Sequence, residues 1–283
     1  MSTLSKSCGF IIALGLLGCT SSEPKTEKIK EDKATEEKAE GFNKLDLENL
    51  ANAVNKAELV PSPVEMEKKL KEAGLQSELG SQIPAGKSME VVVADHDQTA
   101  IRTGVVMADL VLTLKTSDQA TILDRLGKMK AGLQKLGAGQ DIYATIEDFE
   151  TKVSDNSINK ADLLSEFDDL SQVMVSELEY EAGEWVVPLI QSGTWLEGAN
   201  LVSKVMIKEG KYDQANTFFR QKEIVEYFIS YVDREGKDRA PDKVIGNLVD
   251  TLNQLKVIAS KPNIEEVDVK KIEELSSVVL GLL

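Results

Sequence analysis

The amino-acid sequence predicts an all-α protein, an irregular multi-helix bundle of about ten to twelve helices over residues 44–283. Three observations support this fold class. Apolar residues recur at intervals of three and four, only 5% of the residues are aromatic, and the chain has 7 prolines. Because no glycine- or proline-rich linker interrupts residues 44–283, we expect a single helical domain there.

The N-terminal residues 1–18 have the composition of a signal peptide. Lys6 supplies a positive charge, and an apolar run from Phe10 to Leu17 follows it. This run is too short to cross ~30 Å of hydrocarbon. The motif Leu16-Leu17-Gly18-Cys19 then places a branched apolar residue and a small residue before a cysteine. Through this motif, residues 1–19 resemble the precursors of bacterial lipoproteins.

The resemblance implies that the leader is removed before Cys19 and that acyl chains are attached to this cysteine. At ~0.8 kcal/mol per buried methylene, two or three acyl chains hold a protein at a membrane almost permanently. We therefore expect a lipid-anchored protein of the bacterial cell envelope, with the outer membrane preferred because Thr20 rather than aspartate follows Cys19. The other cysteine, Cys8, leaves with the leader, so the mature chain has no thiol for catalysis.

The segment 19–43 is predicted to be the lipidated cysteine followed by a flexible charged tether. It is rich in Lys, Glu and Thr and has almost nothing apolar to bury. The whole chain has a net charge of −15, which repels phosphate backbones and argues against nucleic acid as a partner. The expected partners are therefore the membrane, through the lipid anchor, and another protein.

The first helices are indicated by apolar stripes and by prolines. Leu47, Leu50 and Val54 form the first stripe. Pro61 and Pro63 open the second helix, because proline is tolerated in a first helical turn, and Gly74 closes it. The only β-like run, residues 89–94, is too short to form a sheet alone and is interpreted as an extended connector or a helix start.

The later helices have clearer signals. Residues 117–136 carry a continuous stripe that Gly137 ends, and Asn159 is a predicted N-cap. Pro241 is predicted to begin a late helix. The final helix is predicted to open with a capping box formed by Asn263 and Glu266.

Two segments, 98–115 and 177–202, are predicted to lie at the centre of the bundle. The first is apolar nearly all round, and the second contains Pro188 and three glycines. Arg102 interrupts the first segment, and an unpaired buried charge is very costly. We therefore expect Arg102 to pair with Glu181 or Glu184 of the second segment, which also holds both tryptophans.

A search for catalytic or metal-binding patterns predicts no catalytic residue, no metal site and no cofactor. The only histidine, His96, stands between Asp95 and Asp97, but an N-cap explains these aspartates equally well. No Gly-x-Ser-x-Gly motif accompanies it. We therefore expect a protein that is not an enzyme.

The predicted function is a structural or protein-interaction role at the envelope. The alternative is a lipoprotein that binds a small molecule in a pocket between segments 98–115 and 177–202. Its candidate binding residues are Arg102, Glu181, Glu184, Trp185 and Trp195. The helical part also resembles uncharacterised bacterial envelope proteins, through Trp195–Gly198, Phe219–Gln221 and Tyr227-Phe228. This resemblance implies no particular activity.

Overall fold

The computed structural model describes residues 60–84, 86–233 and 243–283. Over these ranges it contains ten α-helices and no strand, which confirms the predicted all-α multi-helix bundle. A 3₁₀ turn, Leu79–Gln82, follows the first helix. The helices are α1 (Pro63–Glu72), α2 (His96–Thr113), α3 (Gln119–Leu136), α4 (Gln140–Ser154), α5 (Lys160–Glu181), α6 (Val186–Glu209), α7 (Ala215–Phe219), α8 (Lys222–Val232), α9 (Lys243–Ala259) and α10 (Glu266–Leu282).

The long helix α6 is the centre of the described bundle. Its side chains are buried on nearly every face from Val186 to Met206. Helix α2 packs along it, α10 packs on it as well, and α1, α5, α8 and the 3₁₀ turn make further contacts. Segments 98–115 and 177–202 thus supply the two helices, α2 and α6, that pack most extensively against each other.

Helices α2 and α6 approach each other at two glycines. A Cβ atom at Gly104 would lie 1.9 Å from the carbonyl oxygen of Ile190, and one at Gly193 would lie 2.0 Å from the carbonyl oxygen of Ile101. A side chain at either position would therefore push the helix backbones apart. The missing side chains bring the two backbones into direct contact.

Several helix ends lie where their local signals place them. The Asn159 side chain accepts hydrogen bonds from the backbone N–H groups of Ala161 and Asp162, both at 3.0 Å. Gly137, with φ of +87°, follows the last residue of α3. The predicted stripe of α3 is buried, namely Ile122, Leu126, Met129, Leu133 and Leu136.

The predicted start of the last helix is wrong by two residues. Its capping box is formed by Glu265 and Asp268, not by Asn263 and Glu266. The reason is tertiary, because Ile264 is buried and its backbone N–H donates to the Asn216 side chain at 2.8 Å. This contact holds the chain in an extended path until Glu265.

Some predictions concern residues beyond the described ranges, namely the Leu47–Val54 stripe and the helix start at Pro241. Residues 89–94 contain no helix or strand and form a connector into α2. The chain divides into two units, Met1–Lys44 and Leu45–Leu283, and all described residues belong to the second. Among the described helices, none has both the length and the hydropathy that crossing a membrane requires.

Candidate functional site

An apolar cleft of about 180 Å³ lies between four helices of the bundle. Its walls come from the start of α1, the second half of α2, the length of α5 and the first half of α6. The lining residues are Val60, Pro61, Ser62, Pro63, Val64, Met107, Val111, Leu164, Phe167, Met174, Leu178, Val187, Ile190, Gln191 and Thr194.

Helical periodicity explains how each wall is built. Met107 and Val111 are four residues apart and therefore share one face of α2. On α6, Val187, Ile190 and Thr194 recur at three and four and face the same way. Gly104 and Gly193 bring α2 and α6 together, so these two walls belong to neighbouring helices. Helix α5 supplies a further wall.

The few polar groups in the cleft already have partners within the protein. The Thr194 hydroxyl lies 3.1 Å from the carbonyl oxygens of Gly104 and Ile190. The Tyr227 hydroxyl donates to the Gln191 side chain at 3.4 Å, and Ser62 accepts from a backbone N–H of α1 as its N-cap. The surface that the cleft offers to a partner is therefore mainly hydrocarbon.

A buried ion network joins α2 to α6 on another face of α2. Lys87 Nζ lies 3.0 Å and 3.1 Å from the two carboxylate oxygens of Asp109. The same ammonium lies 2.9 Å from Glu197 Oε2 of α6. This contact is an ion pair without the geometry of a hydrogen bond. Arg125 adds a second cation and donates to the Asp109 backbone carbonyl at 3.3 Å.

This network changes the acidity of Asp109. Burial is the largest cause and the negative charge of Glu197 the second, and together they raise the pKa of Asp109 to about 7. The attraction of Lys87 opposes this rise and does not cancel it. Both carboxylates are nearly inaccessible, with 4% of Asp109 and 2% of Glu197 exposed. We therefore assign the network a structural role, holding residues 86–94 against α2 and α6.

The predicted ion pair between Arg102 and Glu181 or Glu184 is not formed in the described part of the chain. Arg102 instead donates from Nη1 to the carbonyl oxygen of Glu90 at 2.7 Å. Glu181 and Glu184 are exposed. The charge that bridges the two central helices is Lys87, which lies outside both of the central segments.

The candidate acid Glu181 lines a different concavity, an open depression of about 310 Å³ with Asp141, Glu177 and Tyr180. Glu184 lies near Glu179, whose pKa is raised by burial and then by the charge of Glu184. Neither Glu181 nor Glu184 lines the apolar cleft. The structure thus separates these acids from Arg102 and from the cleft.

Neither of the two tryptophans lines the cleft. Trp195 is 3% exposed, its Nε1 donates to Gln221 at 3.2 Å, and its ring centre lies 5.7 Å from that of Phe228. Trp185 is half-buried against Gly183, which has φ of +103°. Trp195 is therefore a core residue.

The Asp95-His96-Asp97 motif begins a helix. Asp95 is the N-cap of α2, where its side chain accepts from the backbone N–H of Gln98 at 2.9 Å. His96 is exposed and Asp97 is buried. Over the described ranges, no three His, Cys, Asp or Glu side chains are grouped so that they could hold a metal ion.

Sequence reasoning missed Lys87, Glu197 and the α1 and α5 walls of the cleft. One signal was present for Glu197, since it is the only charged residue in the run Val186–Ser203 that became α6. The apolar stripe of α5 was a second signal. Three of its residues, Phe167, Met174 and Leu178, line the cleft. No comparable pattern marks Lys87, because its loop has no periodicity.

The chain matches no known protein family, no curated protein and no solved structure.

Proposed function

We propose that this chain is a lipid-anchored protein of the bacterial envelope that acts by binding another protein, with the apolar cleft as its binding surface. The observation that carries this proposal is the cleft itself. It is lined by apolar side chains from four helix segments, and its few polar groups are hydrogen-bonded within the protein. Such a surface recognises a partner by shape and by burial of hydrocarbon.

The size of the cleft favours a protein partner over a small molecule. Pockets for drug-sized ligands occupy about 300–1,000 Å³ and add a few convergent polar groups. This cleft is about 180 Å³, and its lining residues on α5 extend from Leu164 to Leu178. Grooves of this kind accept the apolar face of an amphipathic helix, whose side chains enter at intervals of three and four.

The second candidate function is the binding of a small apolar molecule. The position of the cleft supports this candidate, because the cleft lies between segments 98–115 and 177–202. Met107, Val111 and five residues of the second segment line it. A narrow hydrocarbon chain would make apolar contacts with the same lining residues.

The proposed anchor is the acylated Cys19, which lies outside the described residues. Support for it comes from the Leu16-Leu17-Gly18-Cys19 motif and the charged segment that follows. A flexible segment of this length has a typical end-to-end distance of roughly 25–30 Å. The anchored domain would then reach a partner that stands off the membrane surface.

The experiment compares two substitutions of half-buried leucines. Leu164→Glu places a charge in the cleft, and Leu123→Glu places one on α3, away from it. Tagged full-length protein is purified from membranes, and co-purifying proteins are quantified by mass spectrometry. We expect a partner that wild type and Leu123→Glu retain and that Leu164→Glu loses at least about tenfold, equivalent to about 1.4 kcal/mol of binding free energy.

Equal recovery of all co-purifying proteins by wild type and the two variants would overturn the proposal. The same samples are extracted with organic solvent. A small molecule retained by wild type and lost by Leu164→Glu, without any protein that behaves in this way, would establish the second candidate instead. Circular dichroism of the purified variants checks that both remain helical.

A further inference from the structure

The last helix, α10, presents apolar side chains to solvent. Val267 and Val278 are 66% and 56% exposed, and Leu282 is exposed as well. Over the described ranges, seven large apolar or aromatic side chains are exposed, and three of them lie on this one helix. Single exposed apolar residues are normal on a protein surface, whereas several on one element indicate an interaction site.

The opposite face of α10 fixes the helix to the bundle. Val269 and Ile272 are buried, and α10 packs along α6. The Asn200 side chain of α6 donates to the hydroxyl of Ser276 at 3.0 Å and to that of Ser277 at 2.7 Å. The outer face is therefore held in place, so a partner that binds it does not have to order the helix first.

Four residues, Val267, Lys271, Glu274 and Val278, define the outer face, which we call the α10 face. Their spacing of four, three and four places them on one side of the helix. Lys271 Nζ lies 3.0 Å from Glu274 Oε2 within the chain, and both side chains are more than two-fifths exposed. When the face is read in the reverse direction, the two valines exchange places and the base exchanges with the acid.

An antiparallel pair of α10 helices matches this pattern. If a two-fold axis crosses the midpoint of the face, Val267 of each copy lies opposite Val278 of the other, and Lys271 lies opposite Glu274. A parallel pair in register would bring lysine against lysine and glutamate against glutamate, and like charges repel. The charges of the α10 face thus complement those of a second, antiparallel copy of the same face.

We propose that the α10 face is a homodimer interface, in which two copies of the chain pack antiparallel through valine contacts and two Lys271–Glu274 ion pairs between the copies. Exposed ion pairs contribute little to stability, so Lys271 and Glu274 can exchange their partner within the chain for one in the second copy. None of the four residues lines the apolar cleft. The inference therefore depends neither on the proposed function of the cleft nor on the proposed anchor.

The interface is small, because it consists of one helix face from each copy. Stable interfaces bury at least about 1,200 Å² in total, more than such a face supplies. We therefore expect a dissociation constant of about 100 µM. At the concentration of thermal unfolding, about 10 µM, the chain is then mainly monomeric, and a substitution of Glu274 does not change the melting temperature through the dimer.

The first test traps the dimer with a disulfide and determines its register. Val267→Cys and Val278→Cys are purified as full chains with tags of different size, mixed at about 0.5 mM and oxidised briefly. The proposed dimer brings position 267 of one copy to position 278 of the other, whereas the two positions 267 lie about 16 Å apart along the helices. A disulfide requires Cα atoms within about 7 Å, so we expect at least about tenfold more mixed product than either homodimer.

The matched control mixes Val278→Cys with Glu147→Cys, an exposed position on α4. Wild type, oxidised in the same way, measures any crosslink through its natural cysteines. If Val267→Cys forms homodimers as readily as the mixed product, the antiparallel arrangement is wrong. A mixed product no more abundant than that of the Glu147→Cys control would overturn the interface altogether.

The second test exchanges the charges. Lys271→Glu places an acid opposite Glu274 of the other copy, and Glu274→Lys places a base opposite Lys271, so each variant repels itself. An equimolar mixture restores opposite charges, because one chain is acidic at both positions and the other is basic at both. We expect each variant alone to raise the dissociation constant at least about tenfold and the mixture to return it to within about threefold of wild type, as measured by sedimentation equilibrium.

An ion pair that acts only within one chain predicts a different result, because mixing two variants cannot repair it. Lost self-association that the mixture does not recover would therefore refute the pairing between copies, as would self-association that neither substitution weakens. Circular dichroism checks that both variants remain helical. The proposed function is tested separately, through Leu164 and the co-purifying proteins, so either proposal can fail without the other.

Discussion

At the scale of single residues, Asp109 and Glu197 are buried carboxylates that share one lysine. Each lies within 3.1 Å of Lys87, and Arg125 supplies a further cation. Burial, and then the negative charge of Glu197, disfavour the ionised form of Asp109. The network therefore makes the stability of the bundle depend on pH.

The substitution Asp109→Asn tests this dependence. The pKa of Asp109 rises from 3.8 in the unfolded chain to about 7 in the fold, so the folded state binds its proton more tightly. The contribution of protonated Asp109 to the free energy of unfolding is complete below the pKa of the unfolded chain. This contribution is lost as the pH rises through about 7. We expect wild type to lose stability over this interval and the variant to lose less, as measured by urea unfolding at a series of pH values.

The matched control for this prediction is Asp124→Asn. Asp124 is an exposed partner of Lys128 on α3, at 2.7 Å. The Asp124→Asn substitution should leave the pH dependence of the free energy of unfolding the same as in wild type. If the free energy of unfolding of the Asp109→Asn variant falls with pH as steeply as that of wild type, the network does not control this dependence.

A second residue, Glu209, contributes in the opposite direction. Its carboxylate accepts hydrogen bonds from the backbone N–H groups of Gln76 at 2.9 Å and Ser77 at 2.7 Å. The bond from Ser77 is the main cause that lowers the pKa of Glu209 from 4.5 to about 2. Its stabilisation is present above the unfolded pKa and is lost as the pH falls through about 2.

We expect Glu209→Gln to lower the melting temperature near neutral pH and to lower it less as the pH approaches about 2. Thermal unfolding followed by circular dichroism measures both. Glu274→Gln on α10, an exposed residue paired with Lys271, is the control and should change neither value. A melting temperature that drops equally at every pH would contradict the assigned role of the carboxylate.

At the scale of helices, the crossing of α2 and α6 depends on glycine. A Cβ atom at Gly104 would meet the Ile190 carbonyl oxygen at 1.9 Å, which no side-chain rotation relieves because the obstacle is backbone. We expect Gly104→Ala to destabilise the fold by about 2 kcal/mol or more, as an overpacked site does. Urea unfolding measures the change.

Gly246 on α9 provides the matched comparison. It lies inside a helix, and a Cβ atom there would meet nothing within 4 Å. Gly246→Ala should therefore stabilise the protein by about 0.5–1 kcal/mol, because alanine restricts the unfolded chain. Equal effects of the two substitutions would mean that α2 and α6 are free to separate.

At the scale of the whole molecule, the proposed anchor and the helical body are separate features of the chain. Cys19→Ala should move the protein from the membrane fraction to the soluble fraction if, as we propose, acyl chains on Cys19 supply the attachment. The melting temperature of the helical body should stay unchanged. Fractionation followed by immunoblotting, with mass spectrometry of the mature N-terminus, measures the outcome. A Cys19→Ala variant that stays with membranes would refute lipid anchoring.

The local part of the fold could be predicted from the sequence. The α3 stripe, the Asn159 N-cap and the Gly137 helix end are short-range patterns within a few residues. Such patterns depend on backbone hydrogen bonding and on helical periodicity, which neighbouring residues determine. The last helix shows the limit, because its start at Glu265 is set by Asn216, which is distant in the sequence.

The candidate site was predicted only in outline. Segments 98–115 and 177–202 do contribute to the cleft, but none of the five candidate binding residues lines it. Large aromatic and charged residues were predicted as binding residues because they are conspicuous within apolar segments of the sequence. Trp195 is buried in the core, and Arg102 donates to the backbone carbonyl of Glu90 and is not paired with Glu181 or Glu184.

The sequence by itself therefore determined the helical class, several described helix ends and the apolar character of the central helices, because these depend on contacts between near neighbours. Only the tertiary structure decided that Lys87 bridges α2 and α6 and that four helices enclose a cleft. In a chain with 48 acidic residues, many carboxylates are equivalent candidates for any cation. The packing of helices in three dimensions selects among them.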